Sequence, residues 1–175
     1  MNTLPYTGVE RSLHWFSAVI IIWIIWALDS GFYVSLFEVS MALKGLLTFI
    51  NISLTTVLIP FFVVRVSLAA WRHVLVARTA RLPVERLASF VHGLIYLVMS
   101  IVLVTGVLMM DQVINVFDLV FIPQPLEDPY WISLFFRMHV FACIVLAVLV
   151  ALHVCAVVKH EISGRRVLAN MWFKR

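Results

Sequence analysis

The sequence is poor in charged residues, and this scarcity indicates the class of protein that it encodes. Only 13% of its 175 residues are charged, whereas 63% are hydrophobic, and the mean hydropathy is +1.06. A water-soluble domain of this length needs far more polar surface, so the bilayer is the solvent of most of the chain. The length suits four spans with short connections, and we expect no added soluble catalytic domain.

Cysteine is scarce as well. The two cysteines, Cys143 and Cys155, lie twelve residues apart within one apolar run. Neither is placed where a periplasmic disulfide or a zinc site would form, so we expect both to be inert packing residues. The first apolar stretch follows Arg11 and lacks the small-residue cleavage site of a signal peptide. We therefore expect it to remain as a span.

Four apolar runs are long enough to cross a bilayer. They cover approximately residues 13–28, 46–70, 87–110 and 131–158. Backbone polar groups in lipid must be satisfied within their own segment, so we expect helices despite the many Val, Ile and Phe residues. The chain shows no internal repeat, low-complexity tract or linker. The sequence therefore predicts a single domain over residues 1–175, an all-α integral membrane four-helix bundle.

The loops differ in charge, and this difference predicts the orientation. The stretch from Arg65 to Arg86 carries five arginines and one glutamate, and the tail from Lys159 onwards carries five cations and one glutamate. The other two loops are acidic. Because Lys and Arg are retained on the cytoplasmic side, we expect both termini to be cytoplasmic, in a multi-pass protein of the bacterial inner membrane. The net charge of +4 reflects this topology and does not indicate nucleic acid as a partner.

The last external loop is rich in proline and interfacial aromatic residues. It contains Pro123, Pro125 and Pro129, with Tyr130 and Trp131 at the return to the membrane. Two interpretations are open: a shaped cap over the outer face, or an ordinary connector with aromatic residues at the interface.

Four histidines fall within the spans, where ligating side chains are costly and usually mark function. His14 and His92 lie at the inner ends of the first and third helices, and His139 and His153 lie on the fourth. The fourteen residues between His139 and His153 are close to four helical turns, which places both on one face about 21 Å apart. A zinc site would need ligands within a turn or two, so this spacing does not favour zinc.

Haem is the cofactor that suits such a set. Imidazole is a good axial ligand of haem iron, and a macrocycle between helices buries most of its area in the apolar bundle. Each histidine alone is explained equally well as a hydrogen-bonded residue that holds helices together. The set of four, three at the inner depth and His139 at the outer depth, favours haem ligation.

The sequence resembles the bacterial cytochrome b561 family, four-helix di-haem proteins that are similar to the cytochrome b subunits of nickel-iron hydrogenases and formate dehydrogenases. The resemblance covers nearly all 175 residues. It rests on five features: Arg11-Ser-Leu-His14-Trp15, His92-Gly-Leu-Ile-Tyr96, Gly106-Val-Leu-Met-Met110, Arg137-Met-His139, and His153. In that family one haem lies near each membrane surface, and electrons pass between quinone and a second donor or acceptor.

The resemblance implies a ligand set. His14 and His153 correspond to the axial pair of the inner haem, and His139 corresponds to one ligand of the outer haem, whose usual partner is a histidine early in the second helix. Counting back from Arg65, that position holds Asn51, and asparagine is a poor iron ligand. The outer haem is then absent, five-coordinate on His139, or bound through another side chain such as Lys44. We favour its loss or weakening.

His92 and His160 have open roles. His92 is either a hydrogen-bonding or proton-relay residue near a quinone, or an alternative axial ligand to His14 or His153. His160 shares the face of His153 and resembles a family position near the inner haem, although an interfacial histidine explains it equally well.

The basic inner surface offers guanidinium groups that can bind carboxylates in bidentate fashion. We expect one of them to bind a haem propionate. The candidates are Arg11, Arg65, Arg72 and Arg86.

Three functions are consistent with these observations. The first is a membrane b-type cytochrome with at least one haem b, which carries electrons between a bound quinone and a partner and needs no catalytic residue of its own. The second is a haem-containing anchor or accessory subunit of a larger respiratory oxidoreductase, associated with membrane or periplasmic redox subunits or with copies of itself. The third is a haem-free membrane scaffold. Acidic outer loops disfavour the superoxide oxidation known for some family members, because that reaction needs an outer surface that attracts anions.

Overall fold

The computed structural model describes residues 6–36, 41–76, 83–164 and 168. For residues 26–36, 41, 73–76 and 83–85 it describes the backbone alone. This part of the chain forms four long helices and one short hairpin. The helices are α1 (Gly8–Leu36), α2 (Met41–Val76), α3 (Pro83–Leu108) and α4 (Pro129–Ile162), and the strands are β1 (Ile114–Val116) and β2 (Val120–Ile122). All four helices are long and apolar enough to cross a membrane, which confirms the prediction of an all-α membrane bundle.

The observed helices differ from the predicted runs mainly at their ends. Helices α1, α2 and α4 continue beyond the apolar run at both ends, whereas α3 begins earlier and ends two residues earlier than predicted. A helix includes its polar caps and interfacial turns, which a search for apolar runs leaves out. With 26 residues, α3 is about 39 Å long and is sufficient for a hydrocarbon layer of about 30 Å.

The helices pack mainly in two pairs, α1 with α2 and α3 with α4. Leu58, Met99 and Leu146 are almost completely buried where the pairs meet. Large apolar side chains on the outer surface of the bundle, such as Phe141 at 70% exposure, suit contact with lipid. Because the core-facing and the lipid-facing sides of each helix are both apolar, hydrophobic periodicity alone could not predict which side is buried.

Buried hydroxyl groups in the bundle bond to backbone carbonyls. The Ser17 hydroxyl donates to the Leu13 carbonyl at 2.7 Å, and the Thr105 hydroxyl donates to the Ile101 carbonyl at 2.6 Å. Such bonds satisfy a polar group that would otherwise be costly in an apolar medium. These side chains are small, so they also let neighbouring helices approach closely.

The start of α1 is fixed by a capping box that also binds α2. The Thr7 backbone N–H donates to the Glu10 carboxylate at 2.7 Å, and the Glu10 N–H donates to the Thr7 hydroxyl at 3.2 Å. The same carboxylate accepts from Arg72 at 2.9 Å. The Arg72 guanidinium also lies 4.1 Å from the centre of the Tyr6 ring. Burial raises the pKa of the Tyr6 phenol, and the nearby guanidinium acts in the opposite direction.

Replacing Glu10 with alanine should therefore loosen both the start of α1 and its contact with α2. We expect a loss of about 1–2 kcal/mol, the combined effect of a lost cap and a partly exposed ion pair. The measurement is thermal unfolding of the purified protein in detergent. Glu10→Gln is the matched control, because glutamine can complete the capping box without the charge. An equal destabilisation by both variants would show that the ion pair, and not the cap, carries the effect.

The connection between α3 and α4 contains a hairpin that the sequence did not predict. Strands β1 and β2 pair antiparallel, and the turn places Phe117 and Asp118 at φ 51° and 57°. Non-glycine residues rarely adopt this left-handed region. Side-chain bonds hold the turn: the Asn115 amide donates to the Asp118 carboxylate at 2.6 Å, and the Asp118 N–H donates to the Asn115 amide oxygen at 2.9 Å.

The hairpin packs against α2 and lies beside the C-terminal end of α3. The Phe117 N–H donates to the Ser53 hydroxyl at 3.1 Å, and Met110, Ile114 and Val116 form a small buried cluster. The chain then enters α4 through Asp128, whose carboxylate caps the helix. The structure shows that this connection contains a hairpin packed on α2, while its role as a cap over the outer face stays a prediction.

Candidate functional site

Each of the four helices contributes one polar side chain to a cluster near the end of the bundle where α1 begins. They are His14 from α1, Arg65 from α2, His92 from α3 and His153 from α4. Arg65 Nη2 lies 2.9 Å from His14 Nδ1, and the His92 and His153 ring centroids are 4.8 Å apart. Electrostatic interactions join His14 to both other histidines. We call these four residues the inner cluster.

The contact between His14 and Arg65 fixes the proton position on His14. A guanidinium only donates hydrogen bonds, so Nδ1 must accept, and a neutral ring then carries its proton on Nε2. While this contact persists, His14 Nε2 has no lone pair for a metal. The Arg65 guanidinium also lies 5.4 Å from the centre of the Tyr96 ring, which holds it within the bundle.

His92 has the opposite arrangement. Its Nδ1 lies 2.7 Å from the Ala88 carbonyl oxygen, and a carbonyl only accepts, so Nδ1 carries the proton and Nε2 has the lone pair. A metal–imidazole bond is about 2 Å long, so two imidazoles on opposite sides of one iron hold their ring centroids more than about 6 Å apart. At 4.8 Å, His92 and His153 are too close to be such a pair.

The inner cluster fits a haem in its donor chemistry. Among the described residues no group of three or more His, Cys, Asp and Glu could hold a metal ion, whereas a porphyrin brings its own nitrogen ligands and needs only one or two from the protein. Arg65 supplies a cation for a propionate. Arg11, one turn before His14, has a buried Nε without a hydrogen-bond partner, a donor that an anionic group would satisfy.

His139 lies apart from the inner cluster and is attached to α3. Its Nδ1 is 3.1 Å from the Val102 carbonyl oxygen and 3.3 Å from the Thr105 hydroxyl, so Nδ1 carries the proton and Nε2 has the lone pair. Cys143 Sγ lies 3.5 Å from that Nε2. Cys143 is buried, as expected, while Cys155 is exposed. The sequence analysis did not predict the contact between Cys143 and His139, although their spacing of four residues on a helix favours it.

A cavity of about 50 Å³ lies beside His139, and Asn51 forms part of its wall. We call it the outer cavity. The Asn51 side-chain oxygen is buried and has no hydrogen-bond partner. The structure thus places Asn51 and His139, which the sequence analysis paired, on the walls of one cavity. Lys44, the other candidate ligand, is exposed and is not among the residues that line this cavity.

The remaining basic residues lie elsewhere. His160 is half-buried two turns beyond His153, and Arg72 is engaged with Glu10. The side chain of His73 lies outside the described residues. Arg65 is one of the four arginines that the sequence offers as propionate partners. Its bond to His14 was not predicted, because no local pattern specifies the relative rotation of α1 and α2.

Gly106 and Gly93 offer a matched pair of substitutions on α3. A Cβ on Gly106 would lie 3.1 Å from His139 Cε1, whereas a Cβ on Gly93 meets nothing within 4 Å. We expect Gly106→Ala to displace the His139 ring and to be less stable than Gly93→Ala by about 1–3 kcal/mol. Both changes gain the same helix propensity. Thermal unfolding of the two variants measures the difference, and equal stability would show that α3 and α4 separate without strain.

Comparison with known proteins gives one match. The family model described as prokaryotic cytochrome b561 matches residues 5–174, a range that includes all four helices, the inner cluster and the outer cavity. No curated protein matches the chain.

Proposed function

The chain belongs to the prokaryotic cytochrome b561 family and is therefore a multi-pass membrane b-type cytochrome of electron transfer, and we propose that it carries electrons between a quinone and a partner donor or acceptor. The observation that supports this proposal is the convergence of His14, Arg65, His92 and His153 from four different helices. Such convergence is hard to explain by packing alone, because each polar group is costly within a span.

We assign the inner haem to His14 and His153 as axial ligands. Arg65 donates to His14 Nδ1, so His14 would hold the haem through Nε2 only with this guanidinium turned away and the ring proton on Nδ1. A propionate is a suitable new partner for this guanidinium, and the buried Arg11 Nε is a second donor. When bound, the haem supplies one-electron redox chemistry, and the protein tunes its potential through ligands, burial and charge.

His92 suits a role in proton transfer with the quinone. Its Nε2 has a lone pair and its Nδ1–H is already bonded to Ala88, so the ring can accept a hydrogen bond from a quinol hydroxyl. Its ring lies beside His153 at 4.8 Å, which would bring a quinone bound there close to the haem. The separation of 4.8 Å between the His92 and His153 ring centroids disfavours His92 as the second ligand of an iron that His153 holds.

We also propose that the inner cluster faces the cytoplasm. The end of the bundle that contains Arg11, Arg65 and Arg72 is the more cationic one, and cations are retained inside. Both termini would then be cytoplasmic, and the hairpin would face the periplasm.

The test is haem quantification per purified polypeptide, together with a reduced-minus-oxidised spectrum. We expect a b-type α band and at least one haem per chain. Colourless protein that is folded and inserted would overturn the proposal and leave a haem-free scaffold as the function.

A second candidate is a haem-containing anchor or accessory subunit of a larger oxidoreductase. The presence of Asn51 beside His139 favours it, because a relay across the whole membrane would need a second complete ligand set. Purification in mild detergent distinguishes the two: a stoichiometric companion protein indicates the subunit, and a lone chain or homo-oligomer indicates the free cytochrome.

A further inference from the structure

The outer cavity differs chemically from the inner cluster. Fourteen residues line it, and none of them is a lysine, arginine or acid. Among the described residues that line it, His139 is the one with an imidazole, and none carries a cation for a propionate. The donor set at this cavity therefore does not fit a haem with two protein ligands and partnered propionates, whereas that of the inner cluster does.

The space beside Gly106 is filled by the side chain of His139. The His139 ring lies against Gly106, since an added Cβ would come within 3.1 Å of its Cε1. The ring is held there by the Val102 carbonyl at 3.1 Å. The glycine thus accommodates the contact between α3 and the His139 ring of α4.

The polar groups of the cavity are nearly all hydrogen-bond acceptors. The Asn51 side-chain oxygen has no partner. The hydroxyls of Thr55 and Thr56 donate to backbone carbonyls of α2 at 2.7 and 2.8 Å, so only their lone pairs remain. His139 Nε2 carries a lone pair, and its hydrogen-bonding neighbour is the Cys143 thiol, which is a weak donor. The amide hydrogens of Asn51 are the exception. A ligand of this site must therefore donate hydrogen bonds to most of the polar atoms around it.

The size of the cavity limits that ligand. About 50 Å³ is room for a few water molecules, at roughly 10–15 Å³ each. The hairpin cluster of Met110 and Ile114 forms part of the wall. A cavity whose lining includes unpartnered polar atoms often holds ordered water that completes their hydrogen bonds.

We propose that the outer cavity is a binding site for a small neutral hydrogen-bond donor, water in the resting protein, that hydrogen-bonds to Asn51 and replaces a second haem. The chain then carries one haem, at the inner cluster, and exchanges electrons on that side of the membrane only. This inference rests on the proposed function of the inner cluster, since it counts haems relative to that site.

Haem stoichiometry in three proteins tests the proposal. Wild type should contain one haem per chain, and His139→Ala and Asn51→Leu should retain that full content with an unchanged spectrum. Two haems in wild type, or loss of about half the haem in His139→Ala, would overturn the inference while leaving the inner site intact. A wild type without haem would instead overturn the proposed function.

Carbon monoxide is the probe for a haem with an open coordination position. The reduced wild-type spectrum should not shift under carbon monoxide, because the single haem is six-coordinate between two histidines. A shift that His139→Ala abolishes would identify a five-coordinate haem at the outer cavity and refute the proposal. A shift that His139→Ala retains would overturn the assignment of both His14 and His153 to the inner haem, on which this inference rests.

An experimental density map tests the ligand directly. We expect water within hydrogen-bond distance of the Asn51 side-chain oxygen. A dry cavity, or flat density beside His139, would overturn the assignment. Neither result affects the count expected at the inner cluster, so the two proposals stay distinguishable.

Discussion

Replacing His153 with alanine should remove essentially all of the haem from the protein. His153 is the α4 member of the inner cluster, and its ring lies against that of His92. Without His153, the imidazoles left in the inner cluster are those of His14 on α1 and His92 on α3. Helix α4 then supplies no haem ligand to this cluster. We expect the b-type α band to fall below about a tenth of its wild-type intensity at equal protein concentration, because ligand loss removes most of the binding energy of the cofactor.

The control for this variant is His160→Ala. His160 lies on the same helix about two turns away and is half-buried, so its loss tests general damage to that end of α4. It should retain wild-type haem. The His153 variant must also elute as a single species in detergent, which shows that it is folded. Full haem in His153→Ala, with loss in His92→Ala, would transfer the axial role to His92.

The confinement of haem to one end of the bundle would change how this cytochrome works. A pair of haems stacked across the membrane moves electrons from one face to the other, whereas one haem at the inner cluster exchanges electrons with partners at that face. If quinone binds as proposed, His92, whose Nδ1 is bonded to the Ala88 carbonyl, would accept a proton from a quinol on the same side. Oxidation of the quinol and release of its protons would then both occur near one membrane surface.

The four spans could be predicted from the sequence because the bilayer imposes a simple length requirement on apolar segments. The hairpin could not. Its turn depends on reciprocal bonds between Asn115 and Asp118 and on a left-handed conformation of Phe117. The sequence there has neither the Asn-Gly nor the Asp-Gly pattern that predicts such turns, and the neighbouring prolines direct attention to an irregular loop.

The inner cluster was partly predictable for a similar reason. Helical spacing alone places His139 and His153 on one face of α4, and the position of His14 and His92 near the inner ends gives their depth. The bond from Arg65 to His14 depends on how α1 and α2 rotate against each other. Since both helices are apolar on all sides, no pattern in the sequence specifies that rotation.

The outer cavity shows the same limit more clearly. The pairing of Asn51 with His139 was predicted from a family resemblance, not from chemistry, and the structure places both on one cavity wall. What the sequence could not predict is that the Asn51 oxygen would be buried without a partner, or that His139 would be turned towards the Val102 carbonyl. Both depend on the packing of α2, α3 and α4 together.

Arg65 should raise the midpoint potential of the inner haem. A cation beside the haem disfavours the oxidised iron, which carries one more positive charge than the reduced iron. Two unit charges 4 Å apart interact by about 1–4 kcal/mol at effective dielectric constants of 80 to 20, and the propionate and a longer distance to the iron reduce this effect. For a one-electron couple, about 1.4 kcal/mol corresponds to about 59 mV. We therefore expect Arg65→Leu to lower the midpoint potential by roughly 30–60 mV.

Arg65→Lys separates the charge from the geometry. Lysine keeps the cation but lacks the planar fork that binds a carboxylate at two points, so the potential should stay nearer to wild type while haem is released more readily. Redox titration followed by α-band absorbance measures the first effect, and transfer of haem to apomyoglobin measures the second. An unchanged potential in Arg65→Leu would place the guanidinium away from the haem.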